Sequence, residues 1–234
     1  MKKIVWLVLA AMLMIAVSAL ALEAQDITAE CSITVASKGF SAKRLYDRDW
    51  NTYWSGDTSA KTVTIKSKEP MYGLYIGWME APRGWAPEQK VGSGWKKTVF
   101  EPAPFQHMYY PLDGVKELRL KPEGKSKKWF GMEEIFVLGQ GEVPAWVQQW
   151  QLPDNKCDLL LLFAHPDDEA LFFAGTLPTY AGQLEMDVVA AVFSSGARYR
   201  TSELLNSLWT MGVRNYPVIG PFHDKYSTRL ESAY

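Results

Sequence analysis

The 234-residue sequence contains only two cysteines and three histidines. Cys31 and Cys157 each lack a nearby second cysteine or histidine, so no thiolate zinc site can be assembled from them. They fall in two different predicted domains. Free or buried thiols are therefore expected, although an exported chain could oxidise them. The formal net charge is only -1, without the basic excess that a nucleic-acid partner would require. There is no long run of one charge; the short basic cluster Lys121, Lys125, Lys127 and Lys128 reads as a solvated loop. No internal repeat is present. No glycine-rich loop follows the first strand of the C-terminal part, which argues against nucleotide binding.

What the chain has is apolar and aromatic residues, 47% and 13% of the total. That supports true cores and argues against overall disorder. Lys2 and Lys3 precede an apolar run from Ile4 to Leu22 that ends in small residues, including Ala19, Ala21 and Ala24. This pattern reads as a signal peptide over 1–24, with an uncleaved membrane anchor as the rival. Either way the remainder is expected to be extracytoplasmic, secreted or at the cell surface.

The rest divides by texture. Residues 25–141 hold short alternating stretches at Ser32–Val35, Thr62–Ile65, Gly73–Trp78, Lys116–Leu120 and Glu134–Leu138, separated by turn residues. This pattern predicts a β-sandwich or barrel. Residues 142–155 carry Pro144, Pro153, Trp146 and Trp150 and read as a linker packed against something. From 156 to 234 the pattern changes. Leu159–Phe163 is a continuous apolar run, as for a strand buried on both faces. Thr176 can cap a helix with Pro178 in its first turn. Asp187–Phe193 reads as a second buried strand. Leu204, Leu205, Leu208 and Trp209 recur at helical spacing, with Gly212 placed to end that helix. Tyr216–Ile219 is a third short strand. The strand–helix alternation predicts a parallel α/β sheet, so the fold class is a multidomain chain: a β-sandwich and then an incomplete Rossmann-like sheet.

The chemistry concentrates in Ala164-His165-Pro166-Asp167-Asp168-Glu169, at the exit of Leu159–Phe163. Open α/β sheets place their sites beyond the carboxyl ends of their strands. Pro166 fixes its own φ and keeps His165 out of helical geometry, so the segment leaves the strand as a turn. His165 and Asp168 can then converge, with Asp167 beside them. An imidazole and a carboxylate are a partial zinc set, and a second carboxylate near the metal's water suits a general base. The bland reading is that the acids merely cap a helix N-terminus.

The hexapeptide after a first strand resembles the signature of the zinc-dependent PIG-L/LmbE-like N-deacetylases, which act on N-acetylglucosamine-type sugars. The resemblance covers about Lys156 to Tyr234. It includes Gly175-Thr176-Leu177, Arg200 with Glu203, and Met211-Gly212-Val213. It implies that His165 and Asp168 ligate Zn²⁺ and that Asp167 is the catalytic base, with Glu169 in a supporting or capping role. Arg200 matches a position near the substrate pocket, or it forms a surface ion pair with Glu203. The family completes its zinc site with a histidine further downstream. Neither His107, expected as a surface or core aromatic neighbour, nor His223, in the loop after the third strand, matches that position. The chain is therefore expected to be an N-terminal fragment of a longer enzyme.

A second resemblance covers about Ala29 to Gly139. Asp47-Arg48-Asp49-Trp50-Asn51-Thr52-Tyr53-Trp54 is similar to an early loop of discoidin-like (F5/8 type C) jelly rolls, with Arg48 where that loop has glycine. The loop is expected to drive Trp54 into the sandwich core. The family implies glycan binding, sometimes with a structural Ca²⁺ whose ligands cannot be assigned from the sequence. Trp78, Trp85, Trp95 and Trp129 are available for stacking. Trp85 and Trp95, in Gly/Pro-rich segments read as surface loops, are the better substrate-binding candidates. The combined expectation is an exported hydrolase removing N-acetyl groups from an amino sugar or glycan. The alternative is a glycan-binding surface protein whose α/β part is inert.

Overall fold

The computed structural model describes residues 22–36, 41–56, 62–82, 85–97, 105–122, 130–194 and 196–222. Most of the expected signal segment, His223, Trp129 and three of the four clustered lysines lie outside the described residues. Among the described residues no helix is long and apolar enough to cross a membrane. Both cysteines are free, Cys31 half-buried and Cys157 exposed.

The N-terminal unit is antiparallel. Its strands are β1 (Ser32–Val35), β2 (Trp54–Gly56), β3 (Val63–Trp78), β4 (Trp85–Val91), β5 (Gly94–Lys97), β6 (His107–Pro122) and β7 (Phe130–Leu138). They follow the order β2-β7-β3-β6-β4-β5, with β1 also on β3. Two expected strands, Thr62–Ile65 and Gly73–Trp78, are one 16-residue strand, β3. Its ladder with β6 shifts register between Lys66 and Met71. Pro70 sits inside that irregularity, where no ladder N–H is needed. The long β3 and β6 run through both layers, and the core between them holds Trp54, Ile65, Leu74, Ile76, Leu118 and Ile135. Trp54 is fully buried, as the loop before it leads one to expect.

Trp85 and Trp95 require a correction. They stand in strands β4 and β5, not in loops. β5 pairs only Glu88–Val91 of β4, so Pro87 meets no partner on that side and is tolerated. Gly92, at φ 57°, makes the turn between the two strands. Trp78 is also removed from the sugar-stacking candidates, because it is buried in the core.

The C-terminal unit is a three-stranded parallel sheet, β10-β9-β8, built from β8 (Leu159–Phe163), β9 (Val188–Ser194) and β10 (Val218–Phe222). Its helices are α1 (Asp168–Leu171) and α2 (Arg198–Thr210). The helix expected after Thr176 is present over 176–183, with Pro178–Gln183 in π-helical form and without a side-chain cap. The Thr179 hydroxyl bonds the Gly175 carbonyl there. Gly212, at φ 95°, ends α2 as expected, and a Cβ there would lie 2.5 Å from Gly182. β8 is not buried on both faces: Leu161 and Phe163 enter the core, while Leu160 and Leu162 are 54% and 55% exposed. A four-leucine run gives no alternation from which that asymmetry could be read.

The segment 142–155 does pack. Val147, Gln148 and Trp150 are buried, and Trp150 meets Trp209 edge-on at 5.2 Å. A buried polar seam joins the two units. Ser202 of α2 lies against Gln106, His107 and Glu133 of the sandwich, and all four are nearly fully buried. The Trp150 indole N–H donates to Gln148 Oε1 at 2.8 Å, which turns that oxygen to His107 Nδ1, also at 2.8 Å. The proton therefore sits on Nδ1. Nε2 lies 3.2 Å from Ser202 Oγ. Ser202 Oγ takes Gln106 Nε2 at 3.1 Å and donates to the Glu133 carboxyl. Burial holds His107 neutral, down to about 4, and pushes Glu133 up to about 7.

Glu134, the next residue on β7, points the other way. Its carboxylate meets Arg48 at 3.0 Å, and Arg48 also holds Asp26 at 2.7 Å and the Ile135 carbonyl at 3.0 Å. Arg48 adopts φ 65°, a left-handed conformation that this three-way clasp maintains. Arg48→Ala is expected to cost about 2 kcal/mol in urea unfolding, because it strands a buried carboxylate. The loss should shrink in a Glu134→Gln background.

Burial raises both Glu133 and Glu134 from 4.5 to about 7. The folded state then binds protons that the unfolded chain has released, so stability falls as pH rises through that window. Urea midpoints measured from pH 5 to 8 should decline by the equivalent of about 2 kcal/mol per acid, and Glu133→Gln should remove its share.

Candidate active site

The hexapeptide leaves β8 as a tight turn whose N–H groups are held by its own acids. Asp168 Oδ2 accepts from the backbone N–H of Ala164 and of His165, both at 3.0 Å. Glu169, nearly fully buried, accepts the Asp167 N–H at 2.8 Å. The Ala164 carbonyl takes the Ser194 N–H at 3.0 Å, tying the turn to the end of β9. Asp167 adopts φ 121°, far from what an aspartate favours. The bonds on either side of it maintain that strain. Its carbonyl starts α1, accepting from Ala170 and Leu171 at 2.9 Å. The acids thus do bind backbone N–H groups, but those of the turn before the helix.

Three predicted site residues share this turn. His165 Nδ1 lies 3.9 Å from Asp168 Oδ2, while the half-exposed Asp167 carboxylate turns to Arg200. Arg200 joins from α2, with its guanidinium 3.0 Å from Asp167 Oδ2 and bonded to the Pro166 carbonyl. Its separation from Glu203 is 3.8 Å, so the stronger partner is the turn. Trp95 is placed elsewhere, half-buried on β5 with Arg119 and Lys90 over its ring at 4.1 and 4.9 Å. Trp85 begins β4. Sequence reasoning gave no role to Ser202 or Glu133. A lone serine in a helix and a glutamate in a strand carry no signal until the units meet.

The imidazole and carboxylate suit a divalent metal in kind. Bonds near 2 Å in a tetrahedral site would put the two donors about 3.3 Å apart, so the exposed imidazole must close by about half an ångström. Among the described residues no group of three or more His, Cys, Asp or Glu could hold an ion.

No protein-family model matches the chain. Over 84 residues it is 37% identical to a bovine (Bos taurus) N-acetylglucosaminyl-phosphatidylinositol de-N-acetylase, covering 34% of this chain and 33% of that protein. The chain thus spans about a third of the length of that curated relative. Solved structures similar to it include CpGH89CBM32-6 of Clostridium perfringens, at 21% identity over 50% of this chain and all of that one, with a TM-score of 0.41. An F5/8 type C domain from Bacteroides fragilis matches at 14% identity over 52% of this chain and 99% of that one, TM-score 0.38. The family 32 CBM of C. perfringens NanJ, solved with galactose, matches at 12% identity over 49% of this chain and 98% of that one, TM-score 0.39.

Asp168 holds the turn through two backbone N–H groups. Asp168→Ala is expected to destabilise the protein by about 2 kcal/mol, since two N–H groups lose a charged acceptor. Asp168→Asn, which keeps an acceptor, should cost less than half of that in the same urea titration.

Proposed function

We propose that this chain carries the N-terminal part of a zinc-dependent de-N-acetylase acting on N-acetylglucosamine-type sugars, with the sandwich on the glycan-facing side. The observation that carries the reading is the approach of His165 to Asp168 at 3.9 Å, with Asp167 between them in sequence, in one braced turn at the carboxyl end of a parallel strand. Its resemblance in sequence to the bovine de-N-acetylase supports the same chemistry.

In this reading His165 and Asp168 hold the zinc ion. When bound, zinc supplies a Lewis acid for the amide carbonyl and lowers the pKa of water. A catalytic zinc takes three protein donors, so a third joins these two. Asp167 accepts the proton of the attacking water and returns it to the departing amine. Arg200, clamped to Asp167 Oδ2 and to the Pro166 carbonyl, fixes the direction of that carboxylate. The extracytoplasmic location expected from the N-terminal segment would place the enzyme where glycans are found.

The test is acetate release from N-acetylglucosamine oligomers by the zinc-supplemented full-length protein. Asp167→Asn should slow release by about a hundredfold or more, as for loss of a general base. Undiminished release by that variant overturns the assignment. Sugar binding with neither zinc uptake nor release would instead support a glycan-binding protein with an inert α/β unit.

A further inference from the structure

Between the two units lies a cavity of about 230 Å³ that the hexapeptide does not line. Its walls come from both: Trp50, Asn51 and Tyr53 of the loop before β2, Met79 after β3, Glu133 of β7, and Tyr199 of α2. We propose that this cavity is a sugar subsite that holds one pyranose ring between the aromatic side chains of the sandwich loop and Tyr199.

The composition matches the ligand. A pyranose presents apolar C–H faces and a rim of hydroxyls, so it needs aromatic walls with a few polar groups between them. Here three aromatic residues and Met79 supply the apolar surface. Asn51 supplies an amide. Glu133 supplies a carboxyl that can exchange hydrogen bonds with hydroxyls while its Oε2 is engaged by Ser202. Burial raises that carboxyl, so near neutral pH it is available as donor and as acceptor. The volume falls below the roughly 300–1,000 Å³ of pockets for drug-sized ligands and suits a single ring.

The cavity is also preorganised. Trp50 is stacked on the buried His107 at 4.8 Å, and its ring is packed so closely on β3 that a Cβ at Gly77 would lie 2.3 Å from it. A fixed platform binds without the cost of ordering. Tyr199, 45% exposed, is the wall nearest solvent among those with a stated exposure. It directly precedes Arg200, whose guanidinium touches Asp167 and the Pro166 carbonyl. Consecutive residues of α2 thus serve the cavity and the candidate active site. A glycan with one ring here could present a neighbouring residue to the hexapeptide.

The class of sugar rests on the de-N-acetylase reading, so the test separates the two. The wild-type chain is titrated with the trimer of N-acetylglucosamine by calorimetry, in the presence of a chelator to remove any contribution of zinc. Tyr199→Ala should raise Kd about fivefold or more, as for loss of an aromatic contact, and Tyr199→Phe should bind nearly as the wild type does. Wild-type affinity in Tyr199→Ala, or no binding by the wild type, overturns the subsite. Acetate release by zinc-supplemented wild type is read separately. If release fails while chelator-insensitive, Tyr199-dependent binding persists, the catalytic reading falls and the subsite stands.

Discussion

The hydroxyl of Ser202 is the point on which the relation of the two sheets depends. It is fully buried and meets a carboxyl, an imidazole and an amide from the sandwich. Buried polar groups are expensive unless every one finds a partner, and these partners fit only one placement of α2. The indole of Trp150 extends the seam into the 142–155 segment by orienting Gln148. That segment is thus part of the interface as well as a connection. Apolar contacts around it, such as Phe105 on Tyr216 at 4.8 Å, supply bulk attraction without fixing register.

Once α2 is set, its first two turns serve three purposes. Ser202 holds the sandwich, Arg200 holds the hexapeptide and Tyr199 faces the cavity. Tyr199 and Ser202, three residues apart, share the helix face toward the sandwich, while Arg200 turns from it to the hexapeptide. The hexapeptide itself is braced from within by Asp168 and Glu169 and from outside by Ser194 and Arg200. That bracing is what lets Asp167 persist at a positive φ.

Much of this was legible in the residues. The switch from alternating stretches to an apolar run, Trp54 as a core residue, the α2 periodicity and the Gly212 stop all rest on local physics. The His-Pro-Asp-Asp spacing already implied a turn on which His165 and Asp168 approach. What was not legible depends on pairing. β4 and β5 exist because β6 offers a ladder to residues that include Pro87 and Gly92, which by themselves read as loop. The halves of β3 fuse because a register shift accommodates Pro70. Thr176 has the chemistry of a cap, but it lies inside the helical run, which widens into a π form at Pro178–Gln183 against Gly212.

The sequence by itself determined the two textures, the metal-type donors and the carboxylate beside them, because each is a matter of residue type at short spacing. Only the tertiary structure decided that Arg200 reaches Asp167, that Trp85 and Trp95 belong to strands, and that Glu133 and His107 share a buried seam. These outcomes join residues about 30 to 100 positions apart, and they follow from burial and complementary hydrogen bonding that no local pattern encodes.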